Sequence, residues 1–164
     1  MKVSVSLVVD STEEYRVGFE TIETGFLQDE VFEYLNKEGI EIVEVLLERI
    51  KGSEKTSIAV LSEISEVIYS LFETNENVIL YFFCDDLNEI PCTHKEIAPQ
   101  AYRSGLFSAM FERFIRKRNV CGVNNVAVCI EALGRPEYLH FIVRSCHQKY
   151  IDYIQQNIEA TYTK

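Results

Sequence analysis

The densest run of potentially reactive side chains is Cys84-Asp85-Asp86-Leu87-Asn88-Glu89-Ile90-Pro91-Cys92-Thr93-His94, followed by Arg103 nine residues later. It begins where an apolar strand ends, and loops beyond the ends of central strands are common ligand sites. Asp85 would serve there as a base or polar anchor, and Arg103 as a clamp for an anion. Arg103 stands one turn before Phe107 on the same face of a predicted helix, so its guanidinium would point back at the acidic loop. An Arg–Asp pair there would fix the loop and depress the carboxylate pKa. The candidate ligand or partner site is therefore Cys84, Asp85, Asn88 and Arg103, and the candidate catalytic groups are Asp85, Arg103 and His94. A plainer account competes with this one. Asp and Asn at a strand end are ordinary turn formers, and one Arg pairing with them merely anchors a loop.

Other chemistries fit less well. Cys84, Asp85, Cys92 and His94 are permissible metal ligands, but a Cys–Cys spacing of eight and a lone Cys-x-His do not match recurring zinc sites. No metal and no cofactor is expected. Gly-x-Ser-x-Gly, GxxxxGK[ST] and GxGxxG are all missing from the sequence, which removes the usual nucleophile elbow and phosphate loops. His140 alternates outward in a predicted hairpin strand and His147 precedes the last helix, so both read as surface residues rather than general bases. The cations Arg113, Arg116, Lys117 and Arg118 crowd a helix end, where they complement its dipole. They read as a solvated terminus rather than a phosphate patch.

The elements that would position these groups follow from periodicity. Val3, Val5 and Leu7 alternate with serines, and after a turn at Asp10–Glu14, Tyr15, Val17 and Phe19 alternate with polar residues, which makes an N-terminal hairpin. Leu27, Val31 and Leu35 suit a short helix within 26–35. From Ile40 to Ile50 the signals conflict: Ile42, Leu46 and Ile50 fit a helix, whereas β-branched Ile40–Val45 fits a strand, the reading favoured at the front of the segment. Thr56 would cap a helix near 57–74 with an apolar stripe of Ile58, Leu61, Ile64, Ile68, Leu71 and Phe72. The strand 78–84 is apolar on both faces and thus central in the sheet. A helix near 101–118, a hairpin over 123–143 turned at Gly134-Arg135-Pro136-Glu137, and a helix near 148–160 complete the chain. The expectation is one α+β domain over 1–164, with an antiparallel or mixed sheet of about five or six strands and helices packed on it.

Composition narrows the partners. The 164 residues carry 16 basic and 26 acidic side chains, a net charge of −10, which argues against bulk nucleic-acid binding. The longest apolar run, Val78–Cys84, is far short of the roughly 20 residues a membrane-spanning helix needs. Five scattered cysteines, an odd number without CxxC spacing, suit a reduced cytoplasmic chain more than an exported one. Charge is uneven: residues 1–100 hold 7 basic and 21 acidic groups, and residues 101–164 hold 9 and 5. The halves would either neutralise each other across the fold or make a bipolar surface that orients a charged partner.

Two family patterns bear on the chain. The order strand–helix–strand–helix–strand–strand is that of the second half of acetyltransferases. Their pyrophosphate-cradling glycine turn is replaced here by Lys51-Gly52-Ser53-Glu54-Lys55, whose single Gly and acidic residue do not suit an anion. The second pattern is closer. An Ile-rich helix stripe (Ile58–Phe72), a strand ending in Cys84-Asp85, and the run Arg103-Ser-Gly-Leu106-Phe107 with Phe111 and Phe114 together resemble a family of small bacterial intracellular proteins whose domain has no known function. This chain differs in a longer loop between Asp85 and Arg103. The resemblance implies a grouping without an activity, and it singles out Cys84, Asp85 and Arg103.

The leading expectation is a small acidic cytoplasmic protein that works as a non-enzymatic interaction module, of antitoxin or immunity type, on a protein partner or as a homodimer, away from membranes. The alternative is an enzyme or small-ligand binder built on the loop after Cys84, with Asp85 and Arg103 at its centre. A structural role in a larger assembly would instead show as an exposed apolar patch within 26–50.

Overall fold

The computed structural model describes residues 2–8, 12–22, 27–52, 56–84, 96–132 and 134–162. Six strands form one mixed sheet in the order β1-β2-β3-β4-β6-β5, as the α+β expectation requires. β1 (Lys2–Val8) and β2 (Glu14–Thr21) are the N-terminal hairpin, and β3 (Glu41–Lys51) adds antiparallel to β2. The ambiguous segment is thus strand from Glu41 onward. Pairing with β2 from Val43 to Lys51 outweighs the local helical spacing.

β4 (Val78–Cys84) lies between β3 and β6. Its pairing with β3 is parallel and covers only Glu41–Glu44 against Val78–Tyr81. A parallel pair needs a crossover, which α2 (Ile58–Thr74) supplies. α3 (Pro99–Arg118) then leads to the hairpin of β5 (Val123–Ala132) and β6 (Arg135–Arg144), and α4 (Gln148–Tyr162) follows a 3₁₀ turn at Ser145–His147. α1 (Asp29–Lys37) precedes β3.

Two apolar cores sandwich the sheet. Ile79 and Tyr81 of β4 join Leu139, Phe141 and Val143 of β6 beneath α1 and α4. Val78 and Leu80, on the alternate face, join Val17, Val43 and Ile142 beneath α2 and α3. A strand covered by helices on both sides has no wet face, which is why Val78–Cys84 is apolar at every position.

Several local expectations need correction. The N-cap of α2 is Ser57, not Thr56: the Ser57 hydroxyl accepts from the Val60 N–H at 3.3 Å, while Thr56 bonds the Tyr15 hydroxyl. α3 starts at Pro99, where a missing N–H costs nothing. The turn of the second hairpin is tighter than 134–137, because β6 already begins at Arg135 and Pro136 pairs with Glu131 of β5. Pro136 is tolerated because pairing of β6 with β4 stops at Tyr138. Cys129 is exposed because it lies on the face of β5 opposite buried Val128 and Ile130. The segment 26–50 carries no broad apolar patch among the described residues: Leu46 and Ile50 are exposed, but Leu27, Val31, Phe32, Leu35, Ile40, Ile42, Val43 and Val45 are buried.

Candidate functional site

α3 runs back along β4 and gathers chemistry on both its faces. On the inner face, Phe107 stacks on Phe82 with ring centroids 4.4 Å apart. Arg103 is one turn before Phe107, and Cys84 is two residues beyond Phe82. One helical turn and two strand residues advance nearly the same distance, about 5.4 and 6.6 Å. Those rises put Arg103 and Cys84 on the same side of the Phe82–Phe107 contact, toward the end of the central strand. Cys84 is fully buried and Arg103 is only 8% exposed. The other sequence-derived candidates, Asp85, Asn88 and His94, lie outside the described residues, as do Asp86 and Cys92.

Beside them lies a polar relay that sequence reasoning missed. Asn125 of β5 donates through Nδ2 to Ser108 Oγ at 3.3 Å, which turns its Oδ1 toward His140 Nδ1 at 3.0 Å. That oxygen can only accept, so Nδ1 carries the proton and Nε2 is left as the acceptor. Ser104 Oγ, 2.8 Å from Nε2, therefore donates its hydroxyl proton to His140. Every member of the chain Ser104–His140–Asn125–Ser108 is thus paired, and α3 is tied to both strands of the C-terminal hairpin.

His140 was expected at the surface and is instead completely buried, with its ring 5.0 Å from that of Phe107. The alternation of β6 was read correctly, but its second face is roofed by α3 rather than wetted. Burial pushes the His140 pKa down to about 4, because the charged imidazolium would lose its hydration. A serine, a histidine and an amide in this order resemble the parts of a nucleophilic relay. Here, however, the base is weak at neutral pH, its orienting partner is uncharged, and Ser104 is only 8% exposed. The arrangement holds a helix in place. The cue available in the sequence was Asn125 and His140 on facing strands of one predicted hairpin.

The outer face of α3 is different. Together with the first turn of α2 it bounds a groove of 670 Å³, lined by Thr56, Ile58, Leu61 and Ser62 on one side and by Tyr102, Leu106, Ala109, Met110, Arg113, Phe114, Arg116 and Lys117 on the other. The α3 residues recur at three- and four-residue steps and so form one stripe along the helix. Ile58, expected in the core as the first member of the α2 stripe, is 59% exposed here. At the far end the helices close on each other: Tyr69 and Phe114 have ring centroids 5.2 Å apart, and Arg118 pairs with Glu66 at 2.6 Å.

A shallower cleft of 350 Å³ opens on the other flank of α3, beside Phe111, Ile115, Val123 and Asn125. Neither cleft is lined by Cys84 or Arg103. Among the described residues no group of His, Cys, Asp or Glu is placed to hold a metal ion, and no described helix is long and apolar enough to cross a membrane.

The class of molecule defined at this point is a mixed six-stranded sheet between two helical layers, with α3 locked on its inner face and grooved on its outer face. No protein-family model, no curated protein and no solved structure matches the chain.

Proposed function

We propose that this protein is a non-enzymatic interaction module that receives a segment of a protein partner in the groove between α2 and α3. The observation that carries this reading is the composition of that groove: an apolar floor of buried Met110 and Phe114, half-buried Leu61, Tyr102 and Leu106 and exposed Ile58 above it, and cations at one end. Apolar surface left contiguous on a folded domain marks a contact site more often than chance. The groove runs from Tyr102 to Lys117, about 22 Å at 1.5 Å per residue, and it is open along one side, whereas small-molecule sites enclose most of their ligand. An antitoxin or immunity-type role, in which a small domain masks part of another protein, is compatible with this surface.

The test is site-specific photocrosslinking in the source organism. A benzophenone amino acid replaces Ala109, which is exposed in the groove, or Asn36, which is exposed on α1 across the sheet. A discrete protein adduct from position 109, lost when Leu106→Glu is added and absent from position 36, supports the reading. Adducts of equal yield from both positions, or none from 109, refute it.

A further inference from the structure

The chemistry of the groove also specifies its occupant, an inference that rests on the interaction reading just given. The cations are gathered at one end. Arg113, Arg116 and Lys117 are exposed and line the groove near the C-terminus of α3. The fourth cation of the cluster, Arg118, is already engaged by Glu66. Although the chain is strongly acidic overall, charges more than about 8 Å away are largely screened at physiological ionic strength. Among the described residues, the charged groups that line the groove are these three cations alone.

The walls determine the backbone of the occupant. The long wall is α3, whose main-chain groups along this stretch are already bonded to each other, and α2 adds only its first turn. An extended peptide laid between them would lose water from its N–H and C=O groups and gain no strand edge in return. A helix satisfies its own backbone and can interdigitate with side chains spaced at three and four residues. Carboxylates are most favourable in a helix's first turn, so the acidic end of such a segment is its N-terminus, lying beside Lys117.

A second copy of this chain does not supply the segment from its described helices. α1 has an acidic first turn, but its Val31, Phe32 and Leu35 are buried in the protein's own core, as are Ile151, Ile154 and Ile158 of α4.

We propose that the groove binds an amphipathic helix of a different protein, about four turns long, with its carboxylates in the N-terminal turns and its axis antiparallel to α3. The experiment extends the crosslinking. Benzophenone is placed at position 109 or 117, and the crosslinked partner segments are sequenced by tandem mass spectrometry. The expected segment carries apolar residues at three- and four-residue spacing, with two or more Asp or Glu at the end crosslinked from 117 and that end N-terminal. The triple variant Arg113→Glu, Arg116→Glu, Lys117→Glu lowers the yield from 109 at least tenfold. Thermal melting of that variant checks that it stays folded, and raising salt from about 0.05 M to about 0.5 M lowers the wild-type yield in parallel.

A groove adduct whose segment is basic, Pro-rich or derived from a second copy overturns this inference and leaves the interaction reading standing, as does a yield indifferent to the triple variant and to salt. No adduct from 109 at all overturns both.

Discussion

The buried relay makes the stability of this protein depend on pH in a way assignable to one side chain. His140 titrates at about 4 in the folded protein and near 6.5 when unfolded. Because the folded pKa is the lower one, the unfolded chain takes up the proton first as pH falls. The stability contributed by a neutral His140 is complete above about pH 6.5 and is lost progressively as pH drops toward 4. A difference of roughly 2.5 units at 1.36 kcal/mol each sets a ceiling of about 3.4 kcal/mol, of which about 2 kcal/mol is gone by pH 5. Stopping at pH 5 keeps most carboxylates ionised. Among the described histidines and carboxylates, two others also have perturbed pKa values: His147, lowered by burial, with Arg144 and Lys149 adding to the shift, and Glu44, raised by burial and by Glu20 beside it. Both are common to wild type and variant, so they cancel in a comparison. Urea unfolding at pH 7.5 and pH 5 is therefore measured for the wild type and for His140→Leu. The variant should be weaker at pH 7.5 by about 2–4 kcal/mol, because Ser104 and Asn125 lose their partner. Its further loss between the two pH values should be about 2 kcal/mol smaller than that of the wild type. Equal pH dependence in the two proteins would refute the assignment of a neutral, desolvated imidazole.

Two further substitutions test the fold around this site. Arg144 donates to the Phe72 carbonyl at 2.6 Å and to the Glu76 carbonyl at 3.2 Å, with its guanidinium 4.4 Å from the Phe72 ring centroid. It thereby adds a close donor to the Phe72 carbonyl in the last turn of α2, whose other partner is the Asn75 N–H at 3.4 Å, and satisfies the Glu76 carbonyl just beyond the helix. Arg144→Met should lower stability in urea by about 2 kcal/mol and Arg144→Lys by less; a neutral Met variant would mean these bonds are no better than bonds to water. Gly39, just past α1, has φ +71° with no atom near where a Cβ would sit. Gly39→Ala should therefore cost about 1–2 kcal/mol through backbone strain alone, and an unchanged melting temperature would show that the turn relaxes.

What could be read from the sequence was whatever local pattern and burial agree upon. Tyr15, Val17 and Phe19 alternate because β2 has one covered face, and they are buried as expected. Val78–Cys84 announces a central strand because both of its faces meet helices. Where local pattern left the answer open or misled, the partner decides. In 40–50 the strand favoured at the front runs on through Ile50, because pairing with β2 and β4 overrides the helical spacing of Ile42, Leu46 and Ile50. His140 alternates with Leu139 and Phe141, but whether its face is wet depends on where α3, some twenty to forty residues earlier in the chain, comes to lie. Ile58 belongs to the α2 stripe by spacing, yet α3 diverges from α2 there and leaves it in the groove. Of the candidate site, Cys84 and Arg103 are both buried, while Asp85, Asn88 and His94 fall outside the described residues.

These observations converge on α3, whose two sides place opposite demands on one helix. Its inner side carries Phe107 and Phe111, and aromatic packing alone would tolerate small rotations of the helix about its axis. The relay through Ser104 and Ser108 does not, because hydrogen bonds weaken steeply with angle and each buried group left unpaired costs about 1–3 kcal/mol. Two polar attachments one turn apart, both reaching the C-terminal hairpin, therefore fix rotation as well as position. The stripe from Tyr102 to Lys117 lies on the other side of the same helix, so its orientation is set by the relay. The proposed partner would meet a surface that is already ordered and forfeit less freedom on binding. Ser104, His140 and Ser108, which do not line the groove, thus help to fix the orientation of the helix that does.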